Sequence, residues 1–108
     1  MAQTSLMQGT LELLILKTLT HEPMHGYGIA SRIHATVDDI LKIEDGSLYP
    51  ALYRMEERKW ITSYWGTSEH NRRAKFYKLT KKGLKQLEDQ SANWSRISQA
   101  MNRVLRTT

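Results

Sequence analysis

Two groups of side chains in this sequence can act on a ligand, and both work by hydrogen bonding and charge. The first is Gly46-Ser47-Leu48-Tyr49-Pro50, followed by Tyr53 and Arg54. Ser47, Tyr49, Tyr53 and Arg54 can all donate hydrogen bonds. The second is a cationic run. Residues 72–85 hold seven basic side chains (Arg72, Arg73, Lys75, Lys78, Lys81, Lys82 and Lys85) and no acidic one. The net charge of +5 is therefore concentrated, and a concentrated positive field favours a polyanionic partner. A solvated lysine-rich face is the plain alternative reading of such a run.

Other chemistries find no support. With no cysteine, thiolate metal sites and disulfides are excluded. His21 and His25 are separated by Pro23, which prevents the shared helical face that metal ligation needs, and His34 and His70 are remote; no metal is expected. Gly26 and Gly28 lack the preceding strand and third glycine of a phosphate-binding loop. No Ser or Lys sits in a nucleophile context, so neither an enzyme nor a cofactor is expected. No apolar run reaches bilayer length, and Met1-Ala2-Gln3-Thr4-Ser5 does not open a secretory signal, so the expected location is cytoplasmic with no membrane partner.

The elements that must position these groups follow from periodicity. Thr10 is the expected cap of a first helix over residues 10–20, ended by Glu22-Pro23. Its apolar residues Leu11, Leu13, Leu14, Ile15, Leu16 and Leu19 cover nearly the whole circumference, which implies burial on two sides, the second against another subunit. Pro23-Met24-His25-Gly26 is read as a turn. A second helix spans 26–37, with Ile29, Ile33 and Val37 on one face. Asp38-Asp39 would end it, and Ile40, Leu41 and Ile43 would connect it apolarly to a third helix running from 45 to about 59.

On that third helix Leu48, Ala51, Leu52 and Met55 share the core face. Pro50, Tyr53, Arg54 and Glu57 point away, with Tyr49 on the flank. Pro50 is tolerated in the first turn, and Ser47 is the expected N-cap, bonding the N–H of Tyr49. Glu56 and Glu57 would repel phosphates, so the electropositive N-terminal half is the end that would enter a groove. Strands are expected at 61–65 and 74–80, with a polar tip between them carrying Arg72, Arg73 and Lys75. Tyr64, Trp65 and Tyr77 would anchor that tip. Thr80 should cap a last helix to about 106 whose apolar residues are Leu84, Leu87, Trp94, Ile97, Met101, Val104 and Leu105. Read as heptads, Leu84 and Leu105 share one seam position, which Ser91 and Ser98 interrupt, and Leu87, Trp94 and Met101 the other.

The expected fold is mostly α with a small β-hairpin: a winged helix-turn-helix over residues 1–80, plus a long C-terminal dimerisation helix over 81–108, in one globular unit. A basic hairpin directly after a helix-turn-helix favours double-stranded DNA as partner. The rival is a winged helix used for protein contacts, or an anti-activator, which would not need seven uncompensated cations.

The sequence also resembles the PadR family of bacterial transcription regulators. The resemblance lies in Leu11-Glu12-Leu13-Leu14-Ile15-Leu16, Met24-His25-Gly26-Tyr27-Gly28-Ile29, Gly46-Ser47-Leu48-Tyr49-Pro50-Ala51-Leu52, and the run from Arg72-Arg73-Ala74-Lys75-Phe76-Tyr77 through Thr80-Lys81-Lys82-Gly83. It implies a homodimeric repressor at inverted-repeat operators, with the last helix packed on the partner's first helix. Tyr27 joins Ser47, Tyr49, Pro50, Tyr53, Arg54, Arg72, Arg73 and Lys75 as the expected DNA contacts. Leu13, Leu16, Leu87, Trp94, Ile97, Met101, Val104 and Leu105 are the expected dimer contacts. Trp94-Ser95-Arg96-Ile97 is similar to the segment of the short subgroup whose tryptophan stacks on planar aromatic drugs; Trp94 could equally be an ordinary seam residue. Two departures stand out. Lys59 occupies the place of a frequent helix-ending glycine, and Glu69-His70-Asn71 replaces a glycine-rich tip, where Asn71 can take the left-handed turn.

Overall fold

The computed structural model describes residues 2–37, 40 and 44–107, with side-chain surroundings from Gly9 onward, Asp45 excepted. The expected helix end at Asp38-Asp39 and the connection through Leu41 and Ile43 lie outside the described residues. Helix α1 spans Ala2–Thr18 and strand β1 Met24–His25. Helix α2 spans Gly26–Val37, and a 3₁₀ turn over Asp45–Ser47 leads into α3, Leu48–Glu57. Strands β2, Ile61–Thr67, and β3, Arg73–Leu79, precede α4, Lys81–Arg106.

One core gathers from all of these elements. Leu11, Ile15, Leu16 and Leu19 of α1 meet Ile29 and Ile33 of α2 and the expected α3 face of Leu48, Ala51, Leu52 and Met55. Trp60, Ile61, Tyr77 and Leu87 close it from the sheet and α4. Only the start of α4 belongs to this core. A 26-residue helix is about 39 Å long, more than the 27–29 Å of the molecule's two shorter dimensions. The radius of gyration, 15.3 Å against about 13 Å for a compact chain of this length, reflects the overhang. Among the described residues no helix is long and apolar enough to cross a membrane.

The structure corrects four local expectations. Helix α1 begins at Ala2, so Thr10 lies within it and is not its N-cap; Gly9 inside a helix costs only about 1 kcal/mol. The segment read as a turn before α2 is a strand. Met24 pairs with Tyr77 and His25 with Phe76, giving an antiparallel sheet of order β1-β3-β2. The hairpin is longer than expected, paired from Ile61↔Leu79 to Thr67↔Arg73. Ser47 makes no side-chain cap. Its backbone is helical (φ −88°, ψ −19°), and a capping hydroxyl needs an extended backbone to reach forward.

Both positions that depart from the family pattern take left-handed backbone. Lys59 takes the left-handed conformation (φ 66°) that ends α3: its N–H donates to the Glu56 carbonyl and that of Trp60 to Met55, both at 3.0 Å. Asn71 does the same in the wing tip (φ 60°). Thr80 caps α4 as expected, its Oγ1 accepting from the Gly83 N–H at 3.0 Å. The same hydroxyl reaches the Lys59 and Trp60 carbonyls, at 2.7 and 2.9 Å, so this one side chain joins the end of α3, the root of the hairpin and the start of α4.

Candidate nucleic-acid interface

Helix α3 presents Tyr49, Pro50, Tyr53 and Glu57 to solvent, with Tyr49 57 % and Tyr53 65 % exposed. Ionic ties hold it on both flanks. On one side Glu12 of α1, only 5 % exposed, receives Arg54 Nε at 3.4 Å and Arg58 Nη1 at 3.4–3.5 Å. On the other side Glu56 accepts from the Ser63 hydroxyl of β2 and pairs with Lys75 of β3 at 3.8 Å. The acid expected to repel phosphate thus faces the wing and is partly neutralised there.

The wing is built from aromatic and turn chemistry. The Ser68 N–H donates to the Arg72 carbonyl at 2.8 Å and the Asn71 N–H to the Ser68 carbonyl at 2.9 Å. Ser68 Oγ accepts from the N–H groups of His70 and Arg72, each at 3.3 Å. Arg73 stacks over Trp65 at 4.7 Å, which aims its guanidinium along the hairpin surface. Tyr64 stacks on Phe76 (5.7 Å), Phe76 meets His25 edge-on (5.4 Å), and His25 lies near Tyr27 (6.4 Å). This row of rings seats the hairpin against the start of α2.

His25 carries a second tie. Its Nδ1 accepts from the Gly28 N–H at 3.0 Å, which leaves Nε2 to bear the proton and face Glu69 Oε1 at 3.4 Å. A backbone hydrogen bond, and then the bond from His25, hold the Glu69 carboxyl below its ordinary pKa. Burial, with the nearby Glu56 and Tyr49, pushes the Tyr77 phenol upward and keeps it neutral.

Between α2, α3 and the hairpin lies an open cleft of about 710 Å³. Tyr27, Tyr49, Arg72, Arg73 and Lys75 all line it, so the structure brings together these five of the residues singled out in the sequence. Pro50 and Tyr53 are exposed on the adjoining helix α3, and Ser47 on the 3₁₀ turn that leads into it. Arg54 is drawn to the opposite flank by Glu12. The cleft also holds His25, Trp65 and His70. His25 escaped the sequence reading because its place depends on the β1–β3 pairing, a contact across some fifty residues. Glu12 did leave a signal, an acid inside the apolar run Leu11–Leu16.

The expected dimer contacts divide. Leu16 (0 % exposed) and Leu87 (8 %) fill the core of the subunit itself, so they are not on a free surface. Leu13 is only partly buried on α1. Trp94, Ile97, Met101, Val104 and Leu105 are 43–74 % exposed along the overhanging part of α4.

A helix pair whose second helix leads into a basic two-stranded wing, on one core with a long C-terminal helix, is a winged helix-turn-helix. The sequence model of the transcriptional regulator PadR-like family matches residues 15–89, and the chain belongs to that family. It is a transcriptional regulator and not an enzyme. It is similar to a PadR-like transcriptional regulator of Bacillus cereus at 30 % identity and TM-score 0.82, over 96 % of this chain and 99 % of that one. A PadR family regulator of Clostridium difficile aligns at 32 % identity and TM-score 0.78, over 88 % and 97 %. An uncharacterized protein of Lysinibacillus sphaericus is 22 % identical over 102 residues, 94 % of each chain.

Proposed function

We propose that this regulator is a homodimeric repressor that binds inverted-repeat operator DNA. The observation that carries the reading is the cleft: it sets the exposed tyrosines of α2 and α3 beside the wing cations on one face. Helix α3 enters the major groove N-terminus first, offering Ser47, Tyr49 and Tyr53, with Pro50 shaping the entry. Tyr27 and the wing residues Arg72, Arg73 and Lys75 take the flanking phosphates. The Lys75–Glu56 pair is partly exposed and worth about 0–1 kcal/mol, so Lys75 can exchange Glu56 for phosphate at little cost.

Residues 1–80 form the DNA-binding part, and the overhanging stripe of α4 pairs with a second copy, which contributes Leu13 of its α1. Two copies would set their recognition helices about 34 Å apart, one turn of B-DNA. Trp94, 47 % exposed on that stripe, is the platform on which a planar aromatic inducer would stack between subunits. The regulator works in the cytoplasm.

The test is a gel-shift assay on the gene's own upstream region at two salt concentrations. Affinity should fall steeply with salt, by about −0.9 in log–log slope for each phosphate neutralised. Arg73→Ala and Lys75→Ala should weaken binding to every sequence and flatten that slope. Absence of DNA binding at low salt would favour a winged helix used for protein contacts.

A further inference from the structure

Among the described residues Glu12 is the one charged side chain in the core, and nothing in the DNA-facing surface uses it. Its carboxylate meets Arg54 and Arg58, four residues apart and so stacked on one flank of α3. Their guanidiniums remain charged at every usable pH. They are 32 % and 48 % exposed, against 6 % for the Glu12 side chain. Two partly exposed cations are therefore anchored on one buried anion. Burying a carboxylate is a poor way to gain stability, because desolvation largely cancels the attraction. The arrangement does constrain the cations. Arg54 sits one turn after Pro50 and about 40° around the helix from it, close enough to the groove-facing side to reach phosphate if released.

We propose that Glu12 is a positioning residue for DNA selectivity: through Arg54 and Arg58 it fixes the recognition helix against α1 and withholds two guanidiniums from the phosphate backbone. This rests on the reading of α3 as the recognition helix. Phosphate contacts raise affinity for all sequences alike and carry no sequence information. A helix flank with its arginines tethered leaves more of the binding to the groove-facing tyrosines.

Glu12→Gln keeps the shape and removes the anion. Fluorescence anisotropy with a random-sequence duplex, over a salt series, reads the number of phosphates engaged. The variant should bind this DNA more tightly than the parent at low salt, with a slope steeper by about 0.9 to 1.8. Adding Arg54→Ala should return about 0.9 of that increase. A purely structural role would lower the melting temperature and leave the slope unchanged, and that result would overturn the proposal. If Glu12→Gln loses its helical circular dichroism, Arg58→Met decides. Its slope should equal the parent's, because Arg58 is not on phosphate; a slope flatter by about 0.9 refutes the tether. A parent protein that does not bind the duplex at all removes the DNA-binding reading and this inference together. A parent that binds, with Glu12→Gln unchanged, removes this inference alone.

Discussion

Gly26→Ala should damage DNA binding while leaving the fold almost intact. A Cβ at Gly26 would stand 2.5 Å from Tyr49 Oη and 2.7 and 2.8 Å from Cε1 and Cζ. Comfortable contact is about 3.5 Å, so the ring must retreat by about 1 Å. It can do so, because Tyr49 is 57 % exposed and its outer end is free to swing. The displaced rotamer costs about 0.5–1.5 kcal/mol, and replacing the first glycine of α2 by alanine returns part of that. Stability should change by less than about 1 kcal/mol, or under about 8 °C in Tm. Binding is less forgiving. A donor moved about 1 Å leaves the 2.7–3.2 Å range of a good hydrogen bond. Losing one such bond in each subunit of the proposed dimer costs on the order of 1–3 kcal/mol, roughly five- to 150-fold in operator affinity. Thermal melts and anisotropy titrations would be run side by side, with Tyr49→Phe and the double variant. If Gly26→Ala acts through the Tyr49 hydroxyl, the double variant binds no worse than Tyr49→Phe alone. Unchanged affinity, or fully additive losses, would refute the reasoning.

Gly83→Ala should do the opposite, since the added Cβ would fall inside contact distance of the Trp60 carbonyl, which is backbone. A loss of about 2–4 kcal/mol, seen as a fall of roughly 10 °C or more in Tm, is expected. Gly46→Ala, with nothing within 4 Å, is its control and should be near neutral. Lys59→Gly should raise stability by about 0.5–1 kcal/mol, because φ 66° strains a side-chain-bearing residue; a denaturant midpoint that does not rise would contradict this. Met101→Glu, at 53 % exposure on the α4 stripe, should shift the protein to monomer in analytical ultracentrifugation and leave its far-UV spectrum unchanged. A dimer that survives would place the interface elsewhere.

The parts of this fold that could be read in the sequence are those fixed by neighbours along the chain. The core faces of α2 and α3 follow from apolar spacing, and the Thr80 cap from a hydroxyl three residues before Gly83. The missing glycine at Lys59 marked an irregular helix end but left open whether the residue would cap differently or take the strained conformation that it does. The wing cations and Tyr49 were found because charge and donor chemistry mark them whatever surrounds them. What escaped depends on partners distant in sequence. Strand β1 exists because β3 offers it an edge, and two residues carry no period of their own. The role of Glu12 depends on two arginines more than forty residues away. Ser47 misled for the reverse reason: a good capping residue was used instead in a 3₁₀ turn, its N–H donating to the Glu44 carbonyl at 3.0 Å.

The joint at Thr80 couples α4 directly to the root of the wing, so a tilt of one would be felt by the other. Trp94 lies fourteen residues beyond the joint, about 21 Å along the shaft. A tilt of about 5° at the joint therefore sweeps Trp94 through about 2 Å, more than half the thickness of a flat aromatic ring. Run backward, a molecule of the kind proposed to stack beside Trp94 would, if α4 moved as a rigid shaft, turn the wing root by only a few degrees, but with mechanical advantage. Sub-ångström changes at the hairpin would then accompany ångström-scale changes at the far end of the helix.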